Sequence, residues 1–172
     1  DYDTDGCQDS GEDLDDDNDS IIDDLDDCAT GDLSWNSSSA TDYDTDGCQD
    51  SGEDLDDDND FRSDEFDYCQ KGEKFWISNI TNDYDSDGCK DISEDYDNDN
   101  DNILDIFDNC YIGDIGWISN YISDRDSDGC QDSGEDNDDD DDGLIDDLDS
   151  CPDGQLSWIS NASTCYDSDG CQ

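Results

Sequence analysis

The sequence predicts an irregular fold, poor in regular secondary structure, built as a linear array of 41-residue repeats with at most short strands. Three observations lead there. The chain copies itself at a period of 41, with repeats at 1–41, 42–82, 83–123 and 124–164 and a partial fifth at 165–172. Only 29% of its 172 residues are apolar, while 58 acids against five bases give a formal charge of −53. A chain so charged and so poor in core residues is disordered by default. Ten cysteines argue against that default. Core-poor, cysteine-dense chains are stapled by disulfides or metals, usually in an oxidising compartment, so an extracellular or cell-surface location is expected.

Composition excludes several classes. With no histidine and no C-x-x-C pair, zinc is not expected. The acid excess opposes nucleic acid, whose phosphates need a basic face. No apolar run approaches the roughly 20 residues of a membrane span. An enzyme is not expected: no base stands beside a candidate nucleophile. The chain opens and closes inside a repeat, which suggests a segment of something longer or a protomer continuing into another copy.

Within each repeat the acids follow a rule. "DYDTDGCQDSGE", residues 1–12, carries carboxylates at loop positions 1, 3, 5, 9 and 12 and glycine at 6. This is the calcium-loop pattern D-x-D-x-D-G-x5-E. Calcium takes six to eight oxygens at about 2.3–2.6 Å, and alternating acids on a tightly turning backbone aim at one centre. The expected ligands are Asp1, Asp3, Asp5, Asp9 and Glu12, with the carbonyl of Cys7 at position 7. The loop recurs as Asp42, Asp44, Asp46, Cys48, Asp50 and Glu53, then as Asp83, Asp85, Asp87, Cys89, Asp91 and Glu94, then as Asp124, Asp126, Asp128, Cys130, Asp132 and Glu135. The partial repeat keeps Asp167 and Asp169.

A second loop starts 14 residues after the first. Its expected ligands are Asp15, Asp17, Asp19, Ile21 (by its carbonyl), Asp23 and Asp26. The later copies are Asp56, Asp58, Asp60, Arg62, Asp64 and Asp67, then Asp97, Asp99, Asp101, Ile103, Asp105 and Asp108, then Asp138, Asp140, Asp142, Leu144, Asp146 and Asp149. Its glycine position holds Ser20, Phe61, Asn102 and Gly143. Serine and phenylalanine enter left-handed geometry poorly, which predicts distorted second loops in repeats 1 and 2. Eight loops of five carboxylates account for 40 of the 58 acids. An acidic solvated face does not explain alternation kept in register eight times. Calcium is therefore the expected cofactor, and the array is expected to be calcium- and disulfide-stapled. A sensor EF-hand is not expected, because Asp13 and Leu14 alone separate the two loops and leave no room for a helix.

"DDDDDGLIDDLDSCP" (138–152) and "DNDNDNILDIFDNC" (97–110) resemble the thrombospondin type 3 repeat. The first loop resembles it more loosely, since its cysteine directly follows the glycine. "GDLSW", "GEKFW", "GDIGW" and "GQLSW" do not match that family and look more like acidic calcium repeats of microbial surface proteins. The resemblance implies an extracellular, calcium-wrapped rod serving adhesion or matrix assembly, without catalysis.

The apolar minority is periodic. Trp35, Trp76, Trp117 and Trp158 recur, as do Leu25, Phe66, Phe107 and Leu148, and these are expected to form miniature cores between ion clusters. "FWISNIT" and "GWISNYIS" have strand-like composition. Asn36, Asn79 and Asn161 open N-glycosylation sequons in the linkers and are candidate glycan sites. Asn18 also fits, but inside a calcium loop where a sugar fits poorly.

Two sequential cysteine pairings are open: within a repeat, as Cys7–Cys28, or across the boundary, as Cys28–Cys48. The thrombospondin-type resemblance implies the second, from the cysteine after one loop forward to the next loop. It also closes the linker, which has no ions to order it. A closed loop of this size is worth roughly 3 kcal/mol in the chain-entropy model. Cys7 and Cys165 are then left over, which suggests head-to-tail linkage and self-association into a filament. The leading reading is an extracellular structural segment of a fibre, stalk or adhesin; the alternative is a calcium buffer or mineral-binding acidic protein, which has no need of ordered covalent staples.

Overall fold

The structure, a computed structural model, describes residues 2–172, so the expected ligand Asp1 lies outside the described residues. Among these residues the regular secondary structure is a single 3-10 turn, Asp23–Leu25. The chain divides into two compact units, Asp1–Glu94 and Asp95–Gln172.

The backbone is irregular because side chains take its amides. Asp46 Oδ1 accepts the amide of Cys48 at 2.8 Å, and Asp67 Oδ1 that of Cys69 at 2.6 Å. In the second unit, Asp101 and Asp142 hold the amides of Ile103 and Leu144 in the same way, at 2.6 and 2.8 Å. Each is an Asx-turn, in which the carboxylate replaces a backbone acceptor two residues away. Two left-handed residues per loop complete the coil: Thr45 and Gly47 at φ 72° and 93°, Asn59 and Phe61 at 58° and 74°. Such an alternation fits neither a helix nor a strand.

The second loops of repeats 1 and 2 are not distorted at their glycine position. Ser20 and Phe61 adopt φ 87° and 74°, alongside Gly143 at 89°. The loop holds its shape and the residue carries the strain. Left-handed geometry costs an L-residue about 1–2 kcal/mol, and glycine's extra chain entropy offsets roughly half of that. Phe61 is 76% exposed, so truncation loses no burial. Phe61→Gly is therefore expected to stabilise the chain by roughly 0.5–1 kcal/mol, read by chemical denaturation.

Four disulfides form, Cys28–Cys48, Cys69–Cys89, Cys110–Cys130 and Cys151–Cys171, each with a separation of 20 residues. This is the pairing across the repeat boundary, and Cys7 and Cys165 remain as thiols. Four disulfides fit an oxidising, extracellular setting. No helix is long and apolar enough to cross a membrane.

Each bridge joins the second loop of one repeat to the first loop of the next. Backbone bonds run beside it: Asp27 N to Asp46 O at 2.8 Å, Tyr68 N to Asp87 O at 2.7 Å, Ser150 N to Asp169 O at 2.7 Å. The linker clasps both loops. Ser37 donates its amide to Asp19 O at 2.8 Å and its hydroxyl to Asp42 at 2.5 Å. The packed module is thus second loop, linker, next first loop, and it straddles the sequence repeat. The division between the two compact units accordingly falls inside repeat 3, after its first loop.

The expected strands do not form. Residues 75–81 bond a loop through Phe75 N to Asp58 O and Ser78 N to Asp60 O, and residues 116–123 through Ser119 N to Asp101 O, in place of a ladder. The expected apolar cores do not form either. Leu25, Phe66, Phe107 and Leu148 are exposed, and of the four tryptophans only Trp76 is buried, at 8% exposure. The interior belongs to the aspartates.

Candidate metal centres

The fully buried side chains are aspartates from the ion loops. In the second loops these are positions 3 and 5: Asp17 and Asp19, Asp58 and Asp60, Asp99 and Asp101, Asp140 and Asp142. Burying an ionised carboxylate without a partner costs several kcal/mol after relaxation. The fold does so repeatedly while leaving Leu25 and Leu148 outside, which places the carboxylates where a cation would offset their charge.

The oxygens show where. In repeat 2, Asp58 Oδ2 accepts the amide of Gly72 at 2.8 Å, Asp60 Oδ1 that of Arg62 at 2.5 Å, and Asp67 Oδ1 that of Cys69 at 2.6 Å. Their remaining oxygens, Asp58 Oδ1, Asp60 Oδ2 and Asp67 Oδ2, are buried and accept no hydrogen bond. The same division holds for Asp99, Asp101 and Asp108. One oxygen fixes the side chain on the backbone and the other is left for a ligand. Asp15, Asp17 and Asp19 bring carboxylate oxygens within 4.8 Å of one another, as do Asp42, Asp44 and Asp46 in a first loop. Acidic groups are thus positioned to hold metal ions. Carboxylate oxygen dominates these clusters, a donor set for a hard cation.

Electrostatics agree. Burial pushes Asp26, Asp58, Asp67 and Asp108 up to about 7, with neighbouring loop aspartates adding to the rise. Asp44 and Asp126 in the first loops are likewise raised by burial to about 7, and Asp46 and Asp128 add to this. Burial thus disfavours the charged form of these carboxylates where no cation offsets it.

The second loops gather the expected ligands at positions 1, 3, 5 and 12. The first loops differ. Their position-12 glutamates turn to backbone amides: Glu53 accepts Asp32 N at 2.7 Å and Gln49 N at 3.1 Å, and Glu135 accepts Asp114 N and, at 3.2 Å, Gln131 N. A carboxylate one residue later joins instead: Asp13 lies with Asp5 and the Cys7 thiol, and Asp54 and Asp136 lie in the field of Asp46 and Asp128. Position 1 is saturated with donors. Asp42 accepts the amides of Thr45, Asp46 and Gly47 and the Ser37 hydroxyl. Position 9 folds back on position 2, as in Tyr43 N to Asp50 and Arg125 N to Asp132, at 2.8 and 2.9 Å. The position-7 residues Cys7, Ile21, Cys48, Arg62, Cys89, Ile103, Cys130 and Leu144 donate their amides to the position-5 carboxylate. In the partial repeat Cys165 replaces the position-1 aspartate. It is 2% exposed, and its sulfur accepts the amide of Asp169 and lies with Asp167 and Asp169.

Sequence reasoning missed position 13, although Asp13, Asp54, Asp95 and Asp136 repeat without exception. That invariance was the available signal.

The first-loop glycine has a second reason besides φ. A Cβ on Gly47 would fall onto the Asp26 carboxylate of the preceding second loop, and Gly88 and Gly129 meet Asp67 and Asp108 alike. Gly143, in a second loop, meets nothing. This close approach packs one ion loop on the next, and it explains why glycine is kept at the first-loop position and drifts at the second. Compared with known proteins, the chain matches no family model and no curated sequence.

Proposed function

We propose that this protein is an extracellular structural repeat protein whose interior is calcium: a segment of a fibre, stalk or adhesin, related in its second loops to thrombospondin type 3 repeats. The observation that carries the reading is the inverted interior: Asp58, Asp60 and Asp67, with their copies Asp99, Asp101 and Asp108, are buried with one donor-free oxygen each, while Leu25, Phe66 and Phe107 are exposed. Asp58, Asp60 and Asp67 would hold one ion, and their copies the others. The disulfides between successive loops favour an ordered scaffold over a calcium buffer, because a buffer has no need to fix one site against the next. The sequon asparagines Asn36, Asn79 and Asn161 lie on exposed linkers, where glycans fit. Self-association proceeds head to tail. The burial of Cys165 means that a disulfide to Cys7 of another copy requires residues 165–172 to open first.

Electron microscopy of the purified protein with calcium and with excess chelator tests this reading. Filaments that disperse on chelation are the expected result. Particles that stay monomeric in millimolar calcium, at every protein concentration, would refute self-association.

A further inference from the structure

Beside the first-loop centres, and sharing their position-13 carboxylate, lies a second kind of acidic cluster, made by positions 9, 13 and 16 of a repeat. In repeat 1 the carboxylates of Asp9, Asp13 and Asp16 lie within 4.8 Å of one another. An acidic cluster alone proves nothing, but repeat 2 shows what it takes. There the Lys71 ammonium sits on Asp50 and lies 3.3 Å from Asp57 Oδ2. Asp57 is only 5% exposed, and its other oxygen is buried with no hydrogen bond, as is Asp54 Oδ2. A side chain of the protein thus stands as the cation between these carboxylates. Asp50 has no oxygen left for its own loop: one accepts the Tyr43 amide and the other meets Lys71.

The lysine is peculiar to repeat 2. Its place is taken by Thr30 in repeat 1 and by Asp153 in repeat 4. In repeat 4 the cluster is Asp132, Asp136 and Asp139, with Asp146 acting on Asp139 and Asp153 on Asp132. Asp136 Oδ2 and Asp139 Oδ1 are buried and accept no hydrogen bond. Repeat 4 has therefore exchanged an internal cation for a further carboxylate around the same cluster.

We propose that positions 9, 13 and 16 form a third cation site, filled by the Lys71 ammonium in repeat 2 and by a divalent cation, calcium class, in repeat 4, where Asp153 replaces the lysine. The site shares its position-13 carboxylate with the neighbouring first-loop centre, while its position-16 carboxylate belongs to neither loop's expected ligand set. An ammonium neutralises one charge at fixed reach, whereas a divalent ion draws several carboxylates together.

The test counts calcium by elemental analysis on the full chain after gel filtration in calcium buffer. Lys71→Asp should gain one bound ion over wild type, and Asp153→Lys should lose one. Lys71→Met, which removes the ammonium without adding an acid, should also gain one. Unchanged disulfide maps and tryptophan emission show that the variants stay folded. Counts identical to wild type in all three variants overturn the proposal. A wild-type count below eight strikes at the loop sites instead, and the differences between variants still decide this one.

Discussion

Excess chelator at pH 7 should expand the chain and expose Trp76. Each disulfide-linked pair of loops buries several carboxylates, each with an oxygen that accepts no hydrogen bond, and removing a cation from them leaves repulsion and desolvation. The pH dependence gives the sign. Burial holds Asp26, Asp58, Asp67 and Asp108 at about 7 in the cation-free fold, against 3.8 as the ordinary value. Between those values the folded chain binds more protons than the unfolded one, so the chelated fold loses stability as pH rises through this window. Chelated protein should therefore be most compact near pH 4 and swell towards pH 7. With calcium present the trend reverses, because protons compete with the ion for the same oxygens. Small-angle scattering and tryptophan emission across pH 4–8, with and without calcium, read both arms. A radius indifferent to chelator at pH 7 would sink this account.

Gly88→Ala should be far more damaging than Gly143→Ala. Both glycines sit near φ +90°, at 92° and 89°, so both variants carry the left-handed cost of about 1–2 kcal/mol. Only at Gly88 does the new methyl fall onto a carboxylate, that of Asp67, which is 5% exposed and turned toward its own loop centre. Moving Asp67 opens the second loop of repeat 2 and separates it from the first loop of repeat 3. The expected result is a loss of several kcal/mol for Gly88→Ala, summing the backbone strain and the disturbed buried carboxylate. Its weakened calcium binding should map to Asp58, Asp60 and Asp67. Gly143→Ala should show the backbone cost alone. Equal losses in denaturation of the two variants would mean that the loops do not pack as closely as Gly88 and Asp67 indicate.

The aspartate loops were legible in the sequence because their geometry is local. Asp56, Asp58 and Asp60 are set by alternation and by an Asx-turn two residues long, and neither depends on distant contacts. What decides the first loops is not local. Glu53 matches the position-12 motif, yet the amide of Asp32, from the preceding linker, claims it, and Asp54 is the carboxylate in the field of Asp46. The apolar cores failed for a related reason. Leu25 and Phe66 look like core residues only if the core is apolar, and here buried carboxylates take the interior. The glycine drift at Ser20 and Phe61 was visible, but its meaning required the clash between Gly47 and Asp26, a contact between successive repeats. Lys71 gave no sequence signal at all, since nothing in its spacing ties it to Asp50 and Asp57.

Cations at the centres of the aspartate loops would be directly visible. An anomalous difference map from crystals grown in calcium tests for them at a named place, the point facing Asp58 Oδ1, Asp60 Oδ2 and Asp67 Oδ2. The account predicts a peak there with oxygens at about 2.3–2.6 Å, repeated at Asp99, Asp101 and Asp108. A map without anomalous density at those points, with the three carboxylates still buried, would contradict it.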